Sequence, residues 1–117
     1  MANHNSYNRG AIATSINAVA ATGAVIGDDF VFQYVNGYLP SVYTWEILIG
    51  GTGSFTSFTV LFEISLDGSN WYSADSQTAA GIFSVSSKPS LYARCHISAA
   101  VVASGNPTIT ARFVATR

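Results

Sequence analysis

Phe62–Tyr72 reads FEISLDGSNWY, and this stretch decides the fold class. Phe62, Ile64 and Leu66 alternate with Glu63 and Ser65, the period-two pattern of a strand with one buried face. Asp67-Gly68 follows at once, the residue pair that best tolerates the positive φ angles of a tight hairpin turn. Trp71 and Tyr72 then restart an aromatic-rich strand. The segment predicts a strand, a tight turn with Gly68 at positive φ, and a return strand closed by a Trp.

Outward from this hairpin the same pattern recurs. Val42–Ile49 sets Tyr43, Trp45, Ile47 and Ile49 on one apolar face, with Thr44 and Glu46 opposite. Phe58–Leu66 leads into the hairpin, and Gly81–Ser86 is a short paired segment. Leu91–Ala99 alternates Leu91, Ala93, Cys95 and Ile97 against Tyr92, Arg94, His96 and Ser98. In Thr108–Ala115, Ile109, Ala111 and Phe113 share a face. Towards the N-terminus, Ala11–Ala20 alternates weakly with Ile12, Thr14, Ile16 and Ala18 on one side. Phe30–Val35 is a strand introduced by Gly27-Asp28-Asp29 and ended by Asn36-Gly37. Residues 1–10 are polar and aperiodic and read as a flexible arm; 11–117 read as one domain. About eight short strands, punctuated by Gly, Asn, Pro and Ser, predict an all-β fold. A single sheet cannot hide this many apolar faces, so a two-sheet antiparallel β-sandwich of jelly-roll-like type is expected.

Of the 117 residues 49% are hydrophobic and only 9% charged, against a usual charged share of about 25%. With a net charge of −1, the surface consists largely of Ser, Thr, Asn, Gly and Ala. Weakly charged, near-neutral surfaces favour association. Self-association or burial against another protein is therefore expected; a secreted β-domain with solvated hydroxyl-rich faces is the other reading. Lys88, Arg9, Arg94, Arg112 and Arg117 are scattered among acids and form no phosphate-tracking stripe, which argues against nucleic acid. Ala11–Ile26 follows Arg9 as a signal peptide would, yet Thr14, Ser15, Asn17, Thr22 and Gly23 interrupt it. No stretch has the length and purity of a membrane-spanning helix, and a cytoplasmic site of synthesis is expected.

Little in the chain is built for catalysis. Glu46 and Glu63 on adjacent strands would mimic a glycosidase pair, but both lie on the polar sides of alternating strands, where a solvated or interface Glu belongs. Asp28-Asp29 is turn chemistry before it is a calcium ligand set. Cys95, the sole cysteine, excludes an intramolecular disulfide and any Cys-based zinc site, and its place in an apolar row makes it a small buried hydrophobe. Gly50-Gly51-Thr52-Gly53 lacks the Lys and helix of a phosphate loop. No metal, cofactor or enzymatic activity is expected. The row Tyr92, Arg94 and His96, with Trp71 and Tyr72 nearby, is the candidate interface or ligand face.

The hairpin Ser65–Tyr72 (SLDGSNWY), followed by Leu91-Tyr92-Ala93-Arg94 and by a last strand after Ser104-Gly105-Asn106-Pro107, resembles a small β-sandwich of tailed-phage virion proteins. The likeness is greatest to capsid decoration, or cement, proteins, and it covers the half of the chain from Phe58 onward. It implies a non-enzymatic structural protein on the capsid surface, made in the host cytoplasm. Such a protein binds major capsid subunits and itself as a dimer or trimer, with the N-terminal arm ordering on the shell. The same hairpin pattern is similar to that of discoidin-like carbohydrate-binding domains. This implies the alternative of a glycan- or receptor-binding module of a tail or fibre, with Trp45, Trp71, Tyr72 and Tyr92 as stacking rings. The chain is shorter than those domains and lacks their paired terminal cysteines.

Overall fold

The computed structural model describes residues 4–8, 10–32 and 39–116. They form β1 (Asn5–Ser6), β2 (Ala13–Val19), β3 (Val25–Val31), β4 (Val42–Gly51), β5 (Ser54–Ser65), β6 (Tyr72–Gln77), β7 (Gly81–Val85), β8 (Tyr92–Ser104) and β9 (Pro107–Thr116). The pairings are nested around the hairpin. β5 pairs with β6, β4 with β7, β3 with β8 and β2 with β9, each antiparallel. Pairing of β5 with β8 and of β4 with β9 folds this long ribbon into two sheets, in the orders β1-β3-β8-β5-β6 (sheet A) and β2-β9-β4-β7 (sheet B). The expected all-β, two-sheet sandwich is the architecture found, with nine strands among the described residues.

Aromatic rings from both sheets interlock between them. Trp45 and Tyr43 of sheet B are fully buried. The Trp45 ring stacks on Phe62 of sheet A at 5.8 Å, and Phe62 meets Phe113 edge-on at 5.3 Å. The rows Ala93/Cys95/Ile97 and Ile109/Ala111/Phe113 close the core, as the alternation predicts. Burial also pushes the Cys95 thiol well above its ordinary pKa, so it stays protonated and unreactive. Trp45 Nε1 donates to Asp75 Oδ2 at 3.0 Å, which satisfies the indole without exposing its ring. That placement removes Trp45 from the stacking candidates.

Several sequence expectations change for local reasons. The face Ile12/Thr14/Ile16/Ala18 is not kept: Ile12 is exposed and Ile16 buried, because the β2–β9 register shifts between Thr14 and Ile16 and again before Val19. Gly27-Asp28-Asp29, read as a turn, lies inside β3 at a register shift against β8. There Ser15 of sheet B fills the opened ladder, its hydroxyl donating to the Asp28 carbonyl (2.6 Å) and accepting the Cys95 N–H (2.8 Å). Gly27 has no alternative at that point, since a Cβ would lie 2.5 Å from Ser15 Oγ. Gln33–Val35 and Asn36-Gly37 of the expected strand and loop lie outside the described residues.

The deciding hairpin also differs from a two-residue turn. β5 stops at Ser65, whose hydroxyl accepts the N–H groups of Asp67 and Gly68 and turns the chain outward. Leu66, expected inside, is consequently 66% exposed. Asp67 Oδ1 accepts the N–H groups of Ser69 and Asn70, so one carboxylate organises the wider loop Leu66–Trp71. Gly68 has the expected positive φ, +77°.

Part of the segment read as an arm is built into sheet A. β1 runs parallel to β3, pairing Asn5 with Phe30 and Ser6 with Val31. Tyr7 places its ring 5.2 Å from Phe32 and 5.9 Å from Phe113. Its hydroxyl accepts the Ala115 N–H and donates to the Ala11 carbonyl. Met1–Asn3 and Arg9 lie outside the described residues.

Candidate functional site

The outer face of sheet A carries the predicted row, and register explains how it is assembled. Arg94 on β8 stands opposite Asp29 on β3 and opposite Glu63 on β5, a cation between two acids on adjacent strands. Arg94 Nε donates to Glu63 Oε1 at 2.8 Å. His96 Nδ1 lies 3.3 Å from the same oxygen but out of hydrogen-bond alignment, and is the one buried side-chain polar atom without a partner among the described residues. On the other side, His4 Nδ1 meets Asp29 Oδ2 at 2.8 Å, and the His4 ring packs on Tyr92 with centroids 4.8 Å apart.

Two segments roof this row. The N-terminal segment just ahead of β1 brings His4. The Leu66–Trp71 loop brings Trp71, whose ring lies under the Arg94 guanidinium at 4.2 Å and meets Tyr92 edge-on at 6.5 Å. A cation over an indole at this distance contributes about 0.5–1 kcal/mol at a solvated site. Gly68 is the contact between the roof segments, since a Cβ there would sit 2.9 Å from the His4 ring and 3.2 Å from Tyr92. Glu63, expected on a solvated face, points outward yet is only 7% exposed beneath this cover.

Of the five predicted residues, four meet here: Trp71, Tyr92, Arg94 and His96. Tyr72 does not. It pairs with Ile64 across the hairpin and so projects on the opposite side of the sheet from Trp71, 69% exposed. His4, Asp29 and Glu63 complete the cluster and were not singled out for it. Only the strand register could have found them, because the partners lie 25 and 31 residues apart in the chain. Chemically the cluster is a set of mutually neutralising contacts that tie the two roof segments to the sheet. One face of Trp71 is occupied by Arg94. Glu46, the other half of the imagined acid pair, lies in the opposite sheet and is engaged by Arg112, directly across from it on β9 at 2.7 Å. No group of three His, Cys, Asp or Glu among the described residues is placed to hold a metal ion.

The outer face of sheet B is of another kind. Thr44, Glu46 and Leu48 of β4 alternate with the buried Tyr43, Trp45 and Ile47, and Ile82 of β7 stands opposite Glu46. The Glu46–Arg112 pair is the ion pair found on this face among the described residues, and Leu48 and Ile82 are exposed beside it. Ile12, just ahead of β2, is exposed as well.

No family model matches the chain, and no curated protein sequence matches it. Among solved structures, it is similar to the SPBc2 prophage-derived protein YomS, known from a crystal structure. The two superpose with a TM-score of 0.57 over 91% of this chain and 92% of YomS, at 13% sequence identity. At that identity the likeness establishes a shared fold.

Proposed function

We propose that this chain is a non-enzymatic virion structural protein of a tailed phage, a capsid decoration protein that bridges major capsid subunits and self-associates as a dimer or trimer. The observation that carries this reading is the outer face of sheet B. Its charges among the described residues are one mutually neutralised pair, Glu46–Arg112, and it presents Leu48 and Ile82 to solvent. Large exposed aliphatic side chains on a sheet face of so weakly charged a protein suit burial against another protein better than permanent hydration. A rigid two-sheet body lying on a shell resists strain by contact area alone and needs no reacting groups. The fold shared with a prophage-derived protein, together with the SLDGSNWY hairpin, supports a phage setting.

The test is to purify virions from lysates of the strain that carries the gene and count this protein against the major capsid protein by quantitative mass spectrometry. A copy number matching the capsid lattice is expected. The double substitution Leu48→Ser and Ile82→Ser should leave the isolated protein folded and strip it from particles. Absence from particles, or attachment unchanged by the double substitution, would overturn the reading.

A further inference from the structure

A second feature lies on the side of the hairpin away from the Arg94 cluster. A cavity of about 440 Å³ opens between the Leu66–Trp71 loop and the β7–β8 connection, with Ile64 and Pro89 among its apolar walls and Leu66, Asp67, Asn70 and Tyr72 around it. This is within the usual size range of small-ligand sites. Leu66 and Tyr72 are among the most exposed large apolar side chains of the described residues; the Ser65 hydroxyl turns the chain at Leu66 outward, and Tyr72 is the first residue of β6.

Polar capacity converges on the same place. Asp67 Oδ1 is saturated by the Ser65 hydroxyl and the N–H groups of Ser69 and Asn70. Asp67 Oδ2 accepts only Asn70 Nδ2, at 2.7 Å, and so retains acceptor capacity. Asn70 keeps its carbonyl oxygen and one amide proton without a partner among the described residues. The result is a carboxylate and an amide locked side by side, next to an exposed phenol ring.

We infer that this cavity is a binding site for a neutral pyranose sugar, stacked on Tyr72 with vicinal hydroxyls bonded to Asp67 Oδ2 and the Asn70 amide. The chemistry separates this ligand from others. Among the described residues no Lys, Arg or His lines the cavity, and the charge an anion meets there is the Asp67 carboxylate. A guanidinium finds no free pair of carboxylate oxygens for a bidentate contact, because Oδ1 is already full. An apolar side chain from a partner protein would desolvate Asp67 and Asn70 without returning their hydrogen bonds, which costs about 1–3 kcal/mol per group. A sugar ring has an apolar C–H face for the phenol and a hydroxyl edge for the amide–carboxylate pair. The inference does not depend on capsid docking, which uses the other sheet.

The experiment is a two-dimensional amide NMR titration of the isolated protein with methyl glucoside, galactoside, mannoside and N-acetylglucosaminide at millimolar concentrations. Shifts confined to residues 64–72 and Ser90 are expected for at least one sugar. Tyr72→Ala and Asn70→Ala should each weaken that binding about tenfold or more, a change of about 1.4 kcal/mol. Both side chains are exposed, so the melting temperature reports independently that each variant is folded. No shifts with any of the pyranosides, binding unchanged in both variants, or a response to a leucine- or phenylalanine-containing peptide in place of the sugars would overturn the inference. Virion copy number of the Tyr72→Ala protein keeps this outcome separate from the capsid reading, since it should match wild type.

Discussion

The two outer faces of this sandwich share one core and have opposite surfaces. On sheet A, Asp29, Arg94 and Glu63 form a row across adjacent strands, and the protein's own segments cover it: His4, just ahead of β1, and Trp71 from the hairpin loop. On sheet B, the corresponding position holds one ion pair, Glu46–Arg112, flanked by Thr44, Leu48 and Ile82. Burial follows that division: the Glu63 and Arg94 side chains are 9% and 15% exposed, those of Glu46 and Arg112 23% and 37%. A charged row that is already neutralised and roofed has little left to offer a partner. The open, weakly charged face can lie against one without desolvating many charges. The polar face thus works inward, on the integrity of the fold, and the bland face is the one proposed for assembly.

The largest effect should come from the core that both faces share. Trp45→Ala removes the ring stacked on Phe62 and leaves Asp75 without the indole donor, and it should cost on the order of 3–5 kcal/mol. Urea unfolding followed by Trp71 fluorescence and by far-UV circular dichroism should give coincident transitions, because the faces have no separate cores. Separate transitions would mean that the two sheets lose structure independently.

The comparison is sharpened by neutralising each glutamate in turn. Glu63→Gln leaves the Arg94 guanidinium under the roof without its charged partner and should cost roughly 1.5–3 kcal/mol, as for a hydrogen bond to a charged group. Glu46→Gln breaks a pair that is slightly shorter, 2.7 against 2.8 Å, but more exposed, and should cost below about 1 kcal/mol. Chemical denaturation of the two variants side by side tests the difference; equal losses would erase the distinction drawn between the faces.

The roof itself is tested at Gly68. Gly68→Val puts a β-branched residue at φ +77° and its Cβ against the His4 and Tyr92 rings, and should cost about 1–2 kcal/mol. Hydrogen exchange at Asn5 and Ser6 should accelerate more than exchange at Thr110 or Arg112, showing that the lost stability belongs to sheet A.

The smallest effect is an acid dependence of the loop that carries the roof. The backbone N–H groups of Asn70 and Ser69 hold the Asp67 carboxyl well below the usual carboxylate range. Its folded pKa is thus lower than its unfolded one, so the stabilisation is complete above the ordinary value of about 4 and is lost as pH falls below it towards the folded value. The melting temperature of wild type should therefore fall more steeply than that of Asp67→Asn below about pH 4, with the two running parallel above it.

The sequence by itself determined the all-β class, the two-sheet sandwich and most of the core. Tyr43/Trp45/Ile47, Ala93/Cys95/Ile97 and Ile109/Ala111/Phe113 announce their buried faces because side-chain direction along an unbroken strand has a period of two. It also determined the positive φ of Gly68 and the burial of Cys95. Where the ladder is irregular the rule loses phase. Register shifts in β2 expose Ile12, the inserted Gly27-Asp28 is bridged by Ser15 from the other sheet, and the Ser65 hydroxyl ends β5 one residue before Leu66. Only the tertiary structure decided the functional surfaces. Glu63 meets Arg94 across 31 residues of chain and Glu46 meets Arg112 across 66. Such pairs are set by which strands become neighbours and in what register. Tyr72 and Trp71 are adjacent in sequence yet serve opposite sides of one sheet, because alternation in a strand sends neighbouring side chains apart and only the fold supplies what each side meets.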